Sequence, residues 1–212
     1  MARKRPARSD RRHTDGPPDQ RDNFQRDRDR ILYSTALRRL AGITQVVGAA
    51  EGHVFHNRLT HTLEVAQLSR RLAENILAEQ AELSRALGGI EPEVAEAAAL
   101  AHDLGHPPFG HVAESELNRL ITRDLRIRDG FEGNAQTFRV VTKLSVRHLD
   151  HQGQNLTRAT LNAILKYPWF KGTTVLQKKK FGAYGTERTD FQFARAGQAQ
   201  RARAEKSAEA EI

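Results

Sequence analysis

The clearest alternation of apolar and polar positions runs from Leu59 to Ala78. Leucine, isoleucine and alanine recur there about every three or four residues, the spacing that puts apolar side chains on one face of a helix. Arg70 and Arg71 fall largely outside that stripe. The pattern therefore predicts an amphipathic helix, with His61 in its first turn.

Similar spacing predicts helices along most of the remaining chain. Pro92 suits a first helical position, and Gly105 followed by the Pro107–Pro108 pair ends the alanine-rich run before it. The further predicted helices run from Phe24 to Val47, from Glu93 to Leu104, from His111 to Ile121, from Phe131 to Arg147, and from the capping residue Thr157 through Lys166. No alternation is long enough for a sheet, so the predicted fold class is all-α.

Composition divides the chain into three parts. Residues 1–22 mix Arg, Asp, Pro and Gly with almost no apolar side chains, and we expect a disordered basic tail. Residues 23–170 hold the predicted helices and form one helical domain. After Trp169 the helical pattern fades, and residues from about 194 lack an apolar stripe, so we expect residues 171–212 to form an exposed, poorly packed C-terminal extension.

The chain of 212 residues has no cysteine and a formal charge of +8. Disulfides and thiolate ligands are thereby excluded, and any metal must be held by imidazole and oxygen donors. Neither an apolar run of about 18 residues nor a secretory signal is present, so we expect a soluble cytoplasmic protein without a membrane partner. The positive charge suits a polyphosphate substrate or weak binding of nucleic acid.

The densest group of reactive side chains lies between Ala99 and Glu114. Adjacent residues at the end of a helix project about 100° apart, which lets His102 and Asp103 both reach a metal beyond the helix terminus. His61 supplies a further ligand if its helix lies alongside. Mn, Fe, Co, Ni or Zn suits such donors, and Mg does so when a phosphate adds oxygens. The alternative is a set of helix-terminal polar groups satisfied by hydrogen bonds.

These residues carry a family resemblance. The string His102-Asp-Leu-Gly-His-Pro-Pro-Phe-Gly-His111, with Arg58-Leu-Thr-His61 before it and Gly130-Phe-Glu-Gly-Asn-Ala-Gln136 after it, resembles the HD-domain metal phosphohydrolases. Within them it is most similar to the deoxyguanosine triphosphate triphosphohydrolase family, over about residues 23 to 190 of this chain. The resemblance implies an HD-domain helical bundle and a divalent metal, with Mg, Mn or Co favoured over Fe, Ni or Zn.

The same resemblance implies a reaction and roles for particular residues. A deoxynucleoside triphosphate is hydrolysed to the deoxynucleoside and tripolyphosphate, with attack at the α-phosphorus, in an enzyme that is commonly a homo-oligomer. On a helix, Glu114 shares a face with His111 and can orient its imidazole, although a surface pair is the alternative. The implied roles are metal ligation by His61, His102 and Asp103, catalysis by His111 and Glu114, and substrate binding by Gln45, Arg58 and His106.

The chain departs from the family pattern in two respects. A fourth metal ligand, an aspartate on a downstream helix, has no counterpart, because Asp190 is the last aspartate and its surroundings differ. We expect Asp124, Asp129 and Asp150 to be solvated instead. Ile43 stands where the family commonly has a lysine. We therefore expect a domain incomplete on its C-terminal side, with weakened metal affinity and low stability.

Two other functions stay open at this point. Another HD phosphohydrolase, a nucleotidase or phosphodiesterase, would release orthophosphate or an opened cyclic nucleotide instead of tripolyphosphate. A non-catalytic protein that binds nucleotides or nucleic acid would show salt-sensitive DNA binding that survives mutation of His102 and Asp103.

Overall fold

The computed structural model describes residues 7–14, 16–17, 19–43 and 57–196. These residues form ten α-helices and no β-strand, which confirms the all-α class. The helices are α1 (Asn23–Leu32), α2 (Thr35–Arg39), α3 (Arg58–Glu79), α4 (Ala81–Ala86), α5 (Pro92–Ala101), α6 (Gly110–Arg123), α7 (Gly133–Arg139), α8 (Arg158–Ile164), α9 (Val175–Lys179) and α10 (Arg188–Ala194). Short 3-10 turns cover Leu40–Gly42 and Gly185–Glu187, and a π-helical turn covers Val140–Leu144. None of the described helices combines the length and apolar character needed to cross a membrane.

Helix α5 is the centre of the bundle, with α3, α1 and α8 packed around it. Ala66 on α3 and Ala97 and Ala101 on α5 are buried. Because alanine side chains are small, the two helices can approach closely. This close packing fixes the first turn of α3 next to the end of α5.

Two predicted helices, those starting at Phe24 and at Glu93, have different ends in the structure. The predicted helix from Phe24 is interrupted at Tyr33, and Ser34 starts a new helix by accepting a hydrogen bond from the Leu37 amide at 3.1 Å. A serine cap satisfies a free amide, so it favours this restart over one long helix. Helix α5 ends at Ala101, and the residues after it form a turn.

The expectation of a poorly packed extension after residue 170 is wrong for residues 181–196. Phe181 and Tyr184 are buried beside Ala135, and Ala194 joins the main core. The Trp169 indole donates to the Lys180 carbonyl at 2.8 Å and fastens this segment. Phe181 and Tyr184 lie outside helices, so they produce no helical periodicity from which their packing could be predicted.

The expectation of a disordered tail is also wrong for residues 7–14. The Arg158 amide donates to the Asp10 carbonyl at 2.9 Å, and Arg11 pairs with the buried carboxylate of Asp27. Arginine side chains that neutralise buried carboxylates hold this segment, although it has almost no apolar residues. Composition alone does not show such long-range pairing.

Candidate active site

Three of the predicted ligands come together where α3 begins and α5 ends. One ligand atom from each of His61, His102 and Asp103 lies within 4.8 Å of the others. Asn57 caps α3 by accepting from the Thr60 amide at 2.9 Å, which sets the turn that carries His61. The rings of His61 and His102 lie edge to face, with centroids 5.3 Å apart.

The hydrogen bond made by His102 suits it to metal binding. Its Nδ1 lies 2.7 Å from the Ala99 carbonyl oxygen, which can only accept, so Nδ1 carries the proton. The unprotonated Nε2 atom then lies 3.5 Å from Asp103 Oδ2, and its lone pair can bind a metal. A histidine whose other ring nitrogen donates to a carbonyl is the usual form of a metal ligand. Two imidazoles and a carboxylate are donors that fit a divalent cation.

Arg58 lies against Asp103 inside the same site. Its Nη1 donates to Asp103 Oδ2 at 2.7 Å, and both side chains are buried. Its Nε is buried without a hydrogen-bond partner among the described residues. Arg58 therefore neutralises the candidate ligand Asp103 in addition to lining the cleft, a contact that its sequence position does not reveal.

His111 and Glu114 form the predicted pair in the first turns of α6. Nδ1 of His111 lies 2.7 Å from Glu114 Oε2, which leaves Nε2 directed away from the carboxylate. Burial by itself would raise the pKa of Glu114, but hydrogen bonds from Gly133, His111 and Lys180 outweigh it and lower that pKa. Glu114 is therefore an ionised carboxylate that can hold the imidazole in one orientation.

A lysine that the sequence analysis did not identify sits behind this pair. Lys180 Nζ lies 3.2 Å from Glu114 Oε1 and 3.3 Å from Glu132 Oε1. Burial raises the pKa of Glu132, and hydrogen bonds from Ala135 and Asn134 and the charge of Lys180 offset this only in part. Burial alone would lower the pKa of Lys180, but the two carboxylates raise it. The lysine thus stabilises two neighbouring buried acids, and no local motif marks it.

His106 is more enclosed than His102 and His111. Its Nδ1 lies 3.4 Å from Asp103 Oδ1, and its ring packs on the backbone of Gly133, where an added Cβ would lie 2.8 Å from the ring. Burial lowers the pKa of His106, while the charge of Asp103 partly opposes that shift. The ring is therefore positioned as a neutral imidazole close to the candidate ligands.

One cleft of about 630 Å³ is lined by the side chains of Arg58, His61, His102, Asp103, His106 and His111. Glu114, Glu132 and Lys180 do not line it. That volume suits a small-molecule ligand of nucleotide size, since such pockets commonly measure about 300 to 1,000 Å³. Lys166, two residues after the end of α8, adds a positive charge to the wall of the cleft, and Asn134 and Thr137 add polar groups. From the sequence, Lys166 was predicted only as the end of a helix, with no functional role. Gln45, the remaining predicted substrate-binding residue, lies outside the described residues.

The structure gives the other aspartates different partners. Asp190 pairs with Arg12 and Lys143, and Asp129 accepts from the Gly185 amide at 2.7 Å. Asp124 pairs with Arg123, and Asp150 lies by His148. Among the described residues, no further histidine, aspartate or glutamate joins the group of His61, His102 and Asp103.

Residues 58–167, which carry every candidate ligand of this cleft, match the HD domain. The chain belongs to the HD domain family. The HD match and the His-His-Asp group together indicate a divalent metal site.

The chain is also similar to several curated proteins. Three are each named deoxyguanosinetriphosphate triphosphohydrolase-like protein. The relative from Corynebacterium efficiens is 43% identical over 84% of this chain, and that from Streptomyces coelicolor is 48% identical over 81%. The relative from Caulobacter vibrioides is 49% identical over 68%. The chain spans 39% of the length of the first two relatives and 32% of the third.

Proposed function

We propose that this HD domain carries a metal-dependent phosphohydrolase site that hydrolyses a deoxynucleoside triphosphate to the deoxynucleoside and tripolyphosphate. The observation that carries the proposal is the presence, in one cleft, of the His61, His102 and Asp103 group and of His111 held by Glu114. The names of the relatives favour a deoxyguanosine triphosphate-like substrate.

His61, His102 and Asp103 would hold the divalent cation. A cation bound there supplies Lewis-acid polarisation of a phosphoryl group. Arg58 neutralises part of the Asp103 charge. The Asp103 carboxylate would therefore interact with both the Arg58 guanidinium and the cation. Lys166 and Arg58 give the cleft the positive charge that binds a polyphosphate.

His111 would transfer the proton that the leaving group needs. When water attacks the α-phosphorus, the bond from phosphorus to the 5′ oxygen of the nucleoside breaks, and that oxygen must gain a proton. The Nδ1–H of His111 donates to Glu114, so the imidazolium form of the ring carries its second proton on Nε2 and can give that proton to the 5′ oxygen. Glu114 stays ionised because three donors hold it, and its negative charge stabilises the imidazolium before the proton leaves.

Product analysis tests the proposal directly. The full chain is incubated with Mg, Mn or Co and each deoxynucleoside triphosphate, and the products are separated and identified by phosphorus NMR. The proposal expects tripolyphosphate and a free deoxynucleoside. Orthophosphate release, or activity on nucleoside monophosphates alone, would instead indicate another HD phosphohydrolase.

A His111→Ala variant separates catalysis at this site from a contaminant. We expect it to lose turnover, while His148→Ala, a change in an exposed loop histidine, retains it. Equal turnover in the two variants would contradict the role given to His111.

A further inference from the structure

Three histidines outside the cleft form a stack. The ring of His13, in the N-terminal segment 7–14, lies on that of His151 with centroids 4.7 Å apart and planes 8° from parallel. His148 also stacks with His151, at 5.3 Å and 14°. An imidazole binds a metal in the plane of its ring, so nearly parallel rings do not converge on one ion. The arrangement is therefore better suited to sensing protons than to holding a metal.

Little negative charge near the stack is available to stabilise a protonated histidine. Asp190 on α10 is buried, and it already pairs with Arg12 of the segment and with Lys143 of the π-helical turn. Asp150 lies 3.3 Å from His148 but is largely exposed, which weakens its effect. The charged and titratable groups around His13 are thus Arg12, Lys143, Asp150, Asp190, His148 and His151.

His13 is also where the segment is fastened to the core. Its amide donates to Asn155 Oδ1 at 3.1 Å, and the Asn155 amide group donates to the His13 carbonyl at 3.0 Å. Arg11 of the same segment forms a second ion pair, with Asp27, which lies outside the histidine stack. Loss of the His13 contacts would therefore free residues 13 and 14, while Arg11 and Arg12 stay paired with Asp27 and Asp190.

We propose that the stack of His13, His151 and His148 is an acid-sensitive clasp, which fastens the N-terminal segment at neutral pH and releases its His13 end when the His13 imidazole is protonated. Burial, together with the charges of His151, Arg12 and Lys143, lowers the pKa of His13, and Asp190 opposes this only in part. The docked state thus binds protons less readily than the free segment. Docking is strong above the ordinary histidine pKa of about 6.5 and weakens as the pH falls below it.

Hydrogen exchange on the full chain tests the clasp. The protection factor of the His13 amide, measured by NMR from about pH 7.5 to about pH 5.5, is expected to fall several-fold, because the free segment binds a proton on His13 more readily than the docked segment does. The Leu161 amide, which bonds to the Thr157 carbonyl within α8, serves as the control and should keep its protection. A His13 protection factor that does not change over this range would overturn the proposal.

Two variants identify the titrating group. His13→Phe keeps an aromatic ring but cannot be protonated, so the protection of residue 13 should no longer depend on pH. Leu149→Ser, at a fully exposed position of the same loop, should behave as the unmodified chain. A pH response that persists in His13→Phe would contradict the clasp. If that variant fails to dock, proton NMR titration of His13 in the unmodified chain decides, because a pKa at or above the ordinary value would also contradict it.

Discussion

Replacing Arg58 by Met tests how the candidate metal site is stabilised. The change removes the guanidinium that lies 2.7 Å from Asp103 and leaves a carboxylate buried without its cationic partner. Breaking one partner of a buried ion pair typically costs about 3 to 5 kcal/mol of unfolding free energy. The Arg58 Nε has no hydrogen-bond partner among the described residues, and removing it recovers about 1 to 3 kcal/mol. The expected net loss is therefore about 2 kcal/mol.

Urea denaturation followed by circular dichroism measures this loss, with a chelator present to remove metal. The matched control is Arg71→Met, because Arg71 is 67% exposed and its pair with Glu74 lies on the surface. A surface pair contributes about 0 to 1 kcal/mol. An Arg58→Met variant no less stable than this control would refute the claim that Arg58 compensates a buried Asp103 charge.

Adding Mn²⁺ extends the same experiment to the metal. Without Arg58, the Asp103 carboxylate has no competing guanidinium, so a divalent cation should stabilise Arg58→Met more than it stabilises the unmodified chain. Equal stabilisation of the two proteins would argue against Asp103 as a ligand.

Three further outcomes follow from the site. Glu114→Gln should lower the rate of tripolyphosphate release by about a hundredfold, while the exposed Glu116→Gln should not change it. The lowered pKa of Glu114 contributes stability that is present above its ordinary pKa and is lost as pH falls through the folded value. Thermal melts in acid should accordingly show a smaller loss of stability for Glu114→Gln than for the unmodified chain. Gly105→Ala would put a Cβ 2.1 Å from the Thr137 amide and should cost about 3 kcal/mol by urea denaturation, whereas Gly42→Ala meets open space and should cost far less.

Local patterns were sufficient to predict the core of the bundle. The apolar stripe predicted both ends of α3 to within one residue, and Pro92 predicted the start of α5 but not its end. Because His61 begins one of these helices and His102 follows the other, their proximity depended only on the two helices packing side by side. The family motif supplied the same residues independently.

The residues whose roles could not be predicted are those whose partners lie far away in the sequence. Lys180 follows a short exposed helix, and its role depends on Glu114 and Glu132 from two other parts of the chain. Arg11 and Arg12 lie in a segment with the composition of a disordered tail, yet each pairs with a buried carboxylate. A single sequence records no signal for pairs so far apart, since neither partner is unusual by itself.

Metal binding to the full chain tests the central claim most directly. Titration with Mn²⁺, followed by electron paramagnetic resonance and calorimetry, is predicted to show one ion per chain at the His61, His102 and Asp103 group. The His61→Ala variant should bind it much more weakly, while His148→Ala should bind it as the unmodified chain does. Absence of binding to the unmodified chain, or equal binding by the two variants, would contradict the account.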